Sequence, residues 1–129
     1  MADTKVLIVE DEILIAEDLR LTLERLGHQV VAIAASGNEA IRKADELHPD
    51  LVLMDVRLQG AMNGIETARK IKSKVDVPVI YVTAYASVLG SLELSERFAR
   101  VAKPFSPAQL QAAIGAVLGD ARQQDGKSS

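Results

Sequence analysis

The sequence predicts an α/β fold: a doubly wound, five-stranded parallel sheet of order 2-1-3-4-5, with helices on both faces. Three observations carry this. Short apolar runs alternate with amphipathic helical stretches five times, the pattern of a parallel sheet crossed by helices. The runs Lys5-Val6-Leu7-Ile8-Val9 and Leu51-Val52-Leu53-Met54 are apolar without alternation, as strands buried on both faces are. Right-handed crossovers then leave 2-1-3-4-5 as the simplest order, and it sets the carboxyl ends of strands one and three side by side at the switch point.

Strand one spans 5–9 and stops at three acids, Glu10, Asp11 and Glu12. A helix follows over 13–26. Ala16, Leu19, Leu23 and Leu26 recur at three- and four-residue steps on one face, while Glu17, Asp18, Arg20, Glu24 and Arg25 cover the other. Gly27 is placed to end it as the C′ residue. Strand two spans 29–34. Ser36 or Asn38 caps a second helix reaching about Leu47, and Pro49 stops it. His28, in the loop before strand two, reads as a structural residue, and His48, at that helix end, as a dipole-compatible surface residue rather than a ligand.

Strand three is the run that ends on Asp55, between Pro49-Asp50 and a Gly-containing loop. Asn63 caps a third helix over 64–73, with Ile65, Ala68 and Ile71 on one face. Strand four spans 77–83, with Pro78 near its start, where a missing N–H is tolerated. A short helix of weak periodicity is expected over 87–96. Strand five is short, Val101-Ala102 with Arg100 at its margin, and ends at Lys103-Pro104-Phe105. Ser106 caps the last helix and Pro107 opens its first turn. Its apolar face is Leu110, Ala113, Ile114, Val117 and Leu118, and Gly119 ends it. The expected organisation is one domain over 1–119 and a flexible polar tail over 120–129.

Composition narrows the function. The chain has no cysteine, which excludes disulfides, a thiol nucleophile and a thiolate zinc site. Its net charge of -3, from 15 basic and 18 acidic residues, argues against a dedicated nucleic-acid binder. No signal-peptide pattern opens the chain and no apolar run is long enough to span a bilayer, so no membrane association and a cytoplasmic location are the expectation.

The strand ends hold the chemistry. Strand one offers Glu10 and Asp11, strand three Asp55, strand four Thr83 followed by Ala84, and strand five Lys103. In this topology all of them rim one edge of the sheet. Clustered carboxylates repel by on the order of 1–4 kcal/mol per pair at about 4 Å, and they call for a cation. Hard oxygen ligands without His or Cys point to Mg2+. Carboxylate, Mg2+, lysine and threonine together suit phosphoryl transfer. With no Ser or Cys beside a general base, the natural nucleophile is a carboxylate, which would form an acyl phosphate.

Val6-Leu7-Ile8-Val9-Glu10-Asp11-Glu12, Leu51-Val52-Leu53-Met54-Asp55, Val82-Thr83-Ala84 and Lys103-Pro104-Phe105 resemble the motifs of the receiver domain of two-component response regulators. The resemblance covers residues 5 to about 119, with the four motifs in the family's order. It implies a flavodoxin-like sheet and a phosphoryl group accepted on Asp55 from a histidine kinase or histidine phosphotransfer protein. Asp11 and Asp55 would hold Mg2+ by side chain and Arg57 through its backbone carbonyl. Glu10 would stand where the family has a second acid acting through water. Thr83 and Lys103 would bind the phosphoryl oxygens, and Thr83 would move to report them. The chain would then be no enzyme beyond self-phosphotransfer and autodephosphorylation, and it could form a homodimer through the fourth helix, strand five and the fifth helix.

Arg100 departs from the pattern, since the family usually has an aromatic switch residue three positions before the strand-five lysine. A planar, permanently charged fork belongs at a surface, and Glu93 and Glu96 are its candidate partners. The span from Thr83 to Lys103 is slightly short, and the loop after Asp55 slightly long. A flavin-mononucleotide binder would share the sheet order, but Glu10-Asp11-Glu12 would repel its phosphate. An aspartyl phosphatase wants an acid two residues after the nucleophile, where Arg57 stands. The remaining alternative is a receiver-like interaction module that works without phosphate.

Overall fold

Leu51–Asp55 (β3) is buried at every position, which only a central strand covered on both faces allows. In the computed structural model, which describes residues 4–56, 63–83, 98–102 and 106–126, this strand lies in the middle of a five-stranded sheet. The other strands are Lys5–Val9 (β1), Gln29–Ala34 (β2), Val79–Thr83 (β4) and Phe98–Ala102 (β5). The order is β2-β1-β3-β4-β5 and every pairing is parallel, as the apolar runs and right-handed crossovers predict.

Successive strand residues point to opposite faces, so each strand feeds two cores. Leu7, Val9, Val52, Met54, Val79 and Tyr81 pack with Ala40 and Ala44 of α2 (Gly37–Leu47) and with Ile65, Ala68 and Ile71 of α3 (Gly64–Lys72). Val6, Ile8, Leu51, Leu53, Ile80 and Val82 pack on the other face. They meet Ala16, Leu19 and Leu23 of α1 (Ile13–Arg25) and Leu110, Ile114 and Val117 of the C-terminal helix, Pro107–Gly126. Each fully buried leucine or isoleucine contributes about 1.5–3 kcal/mol relative to exposure.

Local chemistry sets the helix ends. Gly27 has φ +95°. Its N–H donates to the Glu24 carbonyl and the His28 N–H to the Leu23 carbonyl, both at 3.0 Å, which is the Schellman arrangement for closing a helix. At α2 the cap is Ser36, whose Oγ accepts the Glu39 N–H at 3.2 Å. Asn63 and Glu66 form a reciprocal capping box at α3, with bonds of 2.9 and 3.1 Å. Ser106 and Gln109 do the same at the C-terminal helix, at 3.1 and 2.8 Å. Such pairs satisfy N–H groups that the first turn cannot.

Three expected boundaries are corrected. β4 starts at Val79 rather than at 77. Pro78 has no N–H for the ladder, although its carbonyl still accepts the Val52 N–H at 3.1 Å. β5 is longer than Val101-Ala102: it begins at Phe98 and pairs with β4 along its whole length. Backbone pairing does not depend on an apolar run, and a strand at the sheet's edge accepts a charged residue such as Arg100. The C-terminal helix passes Gly119, where it was expected to end, and reaches Gly126. One glycine costs a helix about 1 kcal/mol, and Ala121, Arg122, Gln123 and Gln124 beyond it are acceptable or good helix formers. The helix expected over 87–96 lies outside the described residues.

Candidate functional site

The parallel register of β1 and β3 builds the site. Val9 pairs with Met54, so Glu10 and Asp55 are the next residues on adjacent strands. The Glu10 N–H donates to the Ala34 carbonyl at 2.9 Å, tying the start of the loop to β2. Carboxylate oxygens of Glu10, Asp11 and Asp55 all lie within 4.8 Å of one another. Glu10 is 2% exposed and Asp55 7%, while Asp11 is partly exposed. The Glu10 Oε2 accepts the Glu12 N–H at 3.2 Å, which turns its carboxylate back across the first residues of the β1–α1 junction. Glu12 itself is exposed and stands outside the cluster. Glu10 and Asp55 each take part in further interactions.

This is an oxygen-only donor set at a junction that buries charge. It fits a hard ion such as Mg2+, which prefers carboxylate and carbonyl oxygen, and not zinc or copper, which favour His and Cys. Among the described residues no other group of three potential ligands gathers.

The remaining predicted residues are placed less fully. Thr83 closes β4 one residue beyond Val82, the residue paired with Asp55. Its own partner in β5 is Ala102, which immediately precedes Lys103 in sequence. Arg100 lies on β5 opposite Tyr81. Lys103, Arg57, Glu93 and Glu96 lie outside the described residues. Burial raises the pKa of the Tyr81 phenol, and the nearby Arg69 charge partly opposes this.

Two features escaped the sequence reading. Gly64 opens α3 backbone-to-backbone against the Asp55–Val56 peptide; the available signal was a glycine inside a helix that Asn63 already caps. Ile13 and Leu14 are 77% and 85% exposed beside the acidic junction; the signal for Leu14 was its place off the three- and four-residue steps of the α1 core face, whereas Ile13, three residues before Ala16, falls on them.

Comparison with known proteins bears on what this arrangement is. The sequence model of the response regulator receiver domain matches residues 6–115. The phyllosphere-induced regulator PhyR of Methylorubrum extorquens is 39% identical over 116 residues, covering 89% of this chain and 43% of that protein. The transcriptional regulatory protein PdtaR of Mycobacterium tuberculosis is 39% identical over 116 residues, covering 85% of this chain and 54% of that protein. The chain therefore spans about half the length of these curated relatives. Among solved structures, the receiver domain of Erythrobacter litoralis PhyR superposes with a TM-score of 0.83 at 36% identity, covering 92% of each chain. The anti-anti-sigma factor PhyR of Bartonella quintana gives 0.88 at 34% identity, covering 100% of this chain and 53% of that one. The sheet order, the three acids at the ends of adjacent strands and the match over most of the chain agree: this chain belongs to the response regulator receiver domain family.

Proposed function

We propose that Asp55 accepts a phosphoryl group from a phosphohistidine on a histidine kinase or histidine phosphotransfer protein. The observation that carries this is its position: a nearly buried carboxylate at the carboxyl end of the central strand, within 4.8 Å of two other acids. In the transfer an Asp55 carboxylate oxygen attacks phosphorus. The P–N bond breaks, the imidazole leaves with the bonding pair and takes up a proton, and Asp55 carries an acyl phosphate. Attack of water on phosphorus later returns the free carboxylate and inorganic phosphate. The chain thus turns over only its own phosphate.

Receiver domains generally bind Mg2+ at an acidic pocket, and the three-acid set fits that ion. In this reading Asp11 and Asp55 hold it by side chain and Arg57 by its backbone carbonyl, with Glu10 acting through water. When bound, the ion neutralises charge on the transferring phosphoryl oxygens. Thr83 and Lys103 bind those oxygens, which the adjacency of Thr83 to Ala102 across β4 and β5 supports. Output then runs through the face expected of the fourth helix, β5 and the C-terminal helix, which also serves as a homodimer contact. Relatives that carry the name anti-anti-sigma factor support an output by protein–protein contact, and no described helix is long and apolar enough to cross a membrane.

The test is phosphorylation by a small phosphodonor and by a phosphorylated kinase. Asp55→Asn abolishes acyl-phosphate formation from both. Retention of label by that variant places the acceptor elsewhere and overturns the reading. A second reading, a partner-binding module that works without phosphate, is favoured by Arg100 at the family's aromatic switch position on β5. Saturable binding of beryllofluoride with Mg2+ decides for the first reading, and no binding decides for the second.

A further inference from the structure

Gly64 occupies an unusual position. Its N–H donates to the Val56 carbonyl at 2.8 Å, so the chain that leaves the sheet after Asp55 is caught again at the first residue of α3. A Cβ built on Gly64 would overlap the Asp55 carbonyl oxygen and stand 2.9 Å from both the Asp55 carbonyl carbon and the Val56 Cα. All three are backbone atoms, which cannot swing aside as a side chain does. By contrast, Gly115 would meet nothing within 4 Å.

Neither side of this contact is loose. Asp55 pairs with Val82 of β4, and β3 is flanked by β1 as well. The first turn of α3 is held by the Asn63–Glu66 capping box and by the fully buried Thr67, whose Oγ1 donates to the Asn63 carbonyl at 2.7 Å. Ile65, Ala68 and Ile71 anchor the same helix in the core. An added methyl group must therefore turn the Asp55–Val56 peptide or lift the start of α3. Either movement acts on the residue whose carboxylate meets Glu10 and Asp11.

We propose that Gly64 is a positioning residue for Asp55: its missing side chain lets α3 close on the Asp55–Val56 peptide, and that closure keeps the Asp55 carboxylate in register with Glu10 and Asp11. The proposal rests on the reading of Asp55 as phosphoacceptor in a Mg2+-binding acid cluster. It concerns the support of that cluster, which a partner residue outside it provides. Loss of such support typically lowers metal affinity about 10–100-fold.

The experiment is a Mg2+ titration of the full chain, followed by the backbone amide resonances of Glu10, Asp11 and Asp55, for wild type, Gly64→Ala, Asn63→Ala and Ala68→Gly. Ala68 lies buried in the same helix, and its replacement by glycine weakens α3 without adding an atom near Asp55. Gly64→Ala is expected to raise the Kd for Mg2+ about 10–100-fold and to move the Asp55 and Val56 amide resonances in the metal-free protein. Ala68→Gly is expected to lower the unfolding midpoint and leave the Kd unchanged. A wild-type Kd in Gly64→Ala, or an equal loss in Ala68→Gly, overturns the proposal while leaving the role of Asp55 intact. Should Gly64→Ala fail to fold, Asn63→Ala, which loosens the same turn, must weaken Mg2+ binding more than Ala68→Gly does; equal constants overturn the proposal. A wild-type chain that binds no Mg2+ overturns the metal reading together with it.

Discussion

Replacing Asp55 by asparagine should stabilise the protein in the absence of divalent metal. Asp55 lies within 4.8 Å of the carboxylate oxygens of both Glu10 and Asp11. At that separation two unit charges repel by about 1–3.5 kcal/mol per pair, for effective dielectrics between water and about 20. The substitution removes two such pairs and keeps nearly the same shape. Asp55 also makes other interactions, and loss of a charged hydrogen-bond acceptor works against the gain by roughly 1.5–3 kcal/mol. At the middle of these two ranges the net expectation is a stabilisation of about 2 kcal/mol. The assay is urea unfolding with a chelator present and again with saturating Mg2+. Wild type should gain about 2.7 kcal/mol at 100 times its Kd, and Asp55→Asn much less. As a control, Asp50→Asn should not stabilise, because its Oδ2 only accepts the Lys5 N–H at 2.9 Å, away from the cluster. An Asp55→Asn variant that is less stable than wild type in chelator, and that gains as much from Mg2+, would refute the argument that these three charges share one unfavourable site.

Asp11→Asn should weaken Mg2+ binding by far more than Glu12→Gln, since Glu12 is exposed and outside the cluster; equal losses in a metal titration would contradict this division. His48 closes α2 with φ +47°, a left-handed conformation that disfavours side chains by about 1–2 kcal/mol. His48→Gly should therefore raise stability by roughly 0.5–1 kcal/mol in urea unfolding once the greater freedom of glycine in the unfolded chain is deducted. The raised pKa of buried Tyr81 means that unfolding releases its proton more readily. Its contribution is then fully present below the ordinary phenol value of 10.0 and is lost as pH rises through the folded value. In a Tyr85→Phe background, phenolate absorbance should appear at a higher pH in the folded protein than in urea, and coincident curves would count against it.

The receiver fold was legible in the sequence because its determinants are local or strictly periodic. A strand buried on both faces must be a continuous apolar run, so Val6 to Val9 and Leu51 to Met54 announced themselves, and an acid directly after each run could lie only at the sheet's carboxyl edge. Caps are local as well, and Ser36, Asn63 and Ser106 each hold the N–H three residues on. The parallel order followed from the alternation of strands and helices, and the family from motifs in their right order. What the sequence could not determine depends on segments far apart along the chain. Phe98 and Ala99 become strand because β4 offers its free edge, whatever their own pattern. The C-terminal helix continues beyond Gly119, because a stop signal of one residue is weak against the helix formers that follow. The separation of Glu10, Asp11 and Asp55 is a matter of strand register. The reason for glycine at position 64 lies outside its own neighbourhood, because it arises only where the start of α3 is pressed against the peptide that follows Asp55; sequence order places those two groups on opposite sides of a loop, and only the packed sheet and helix bring them into contact.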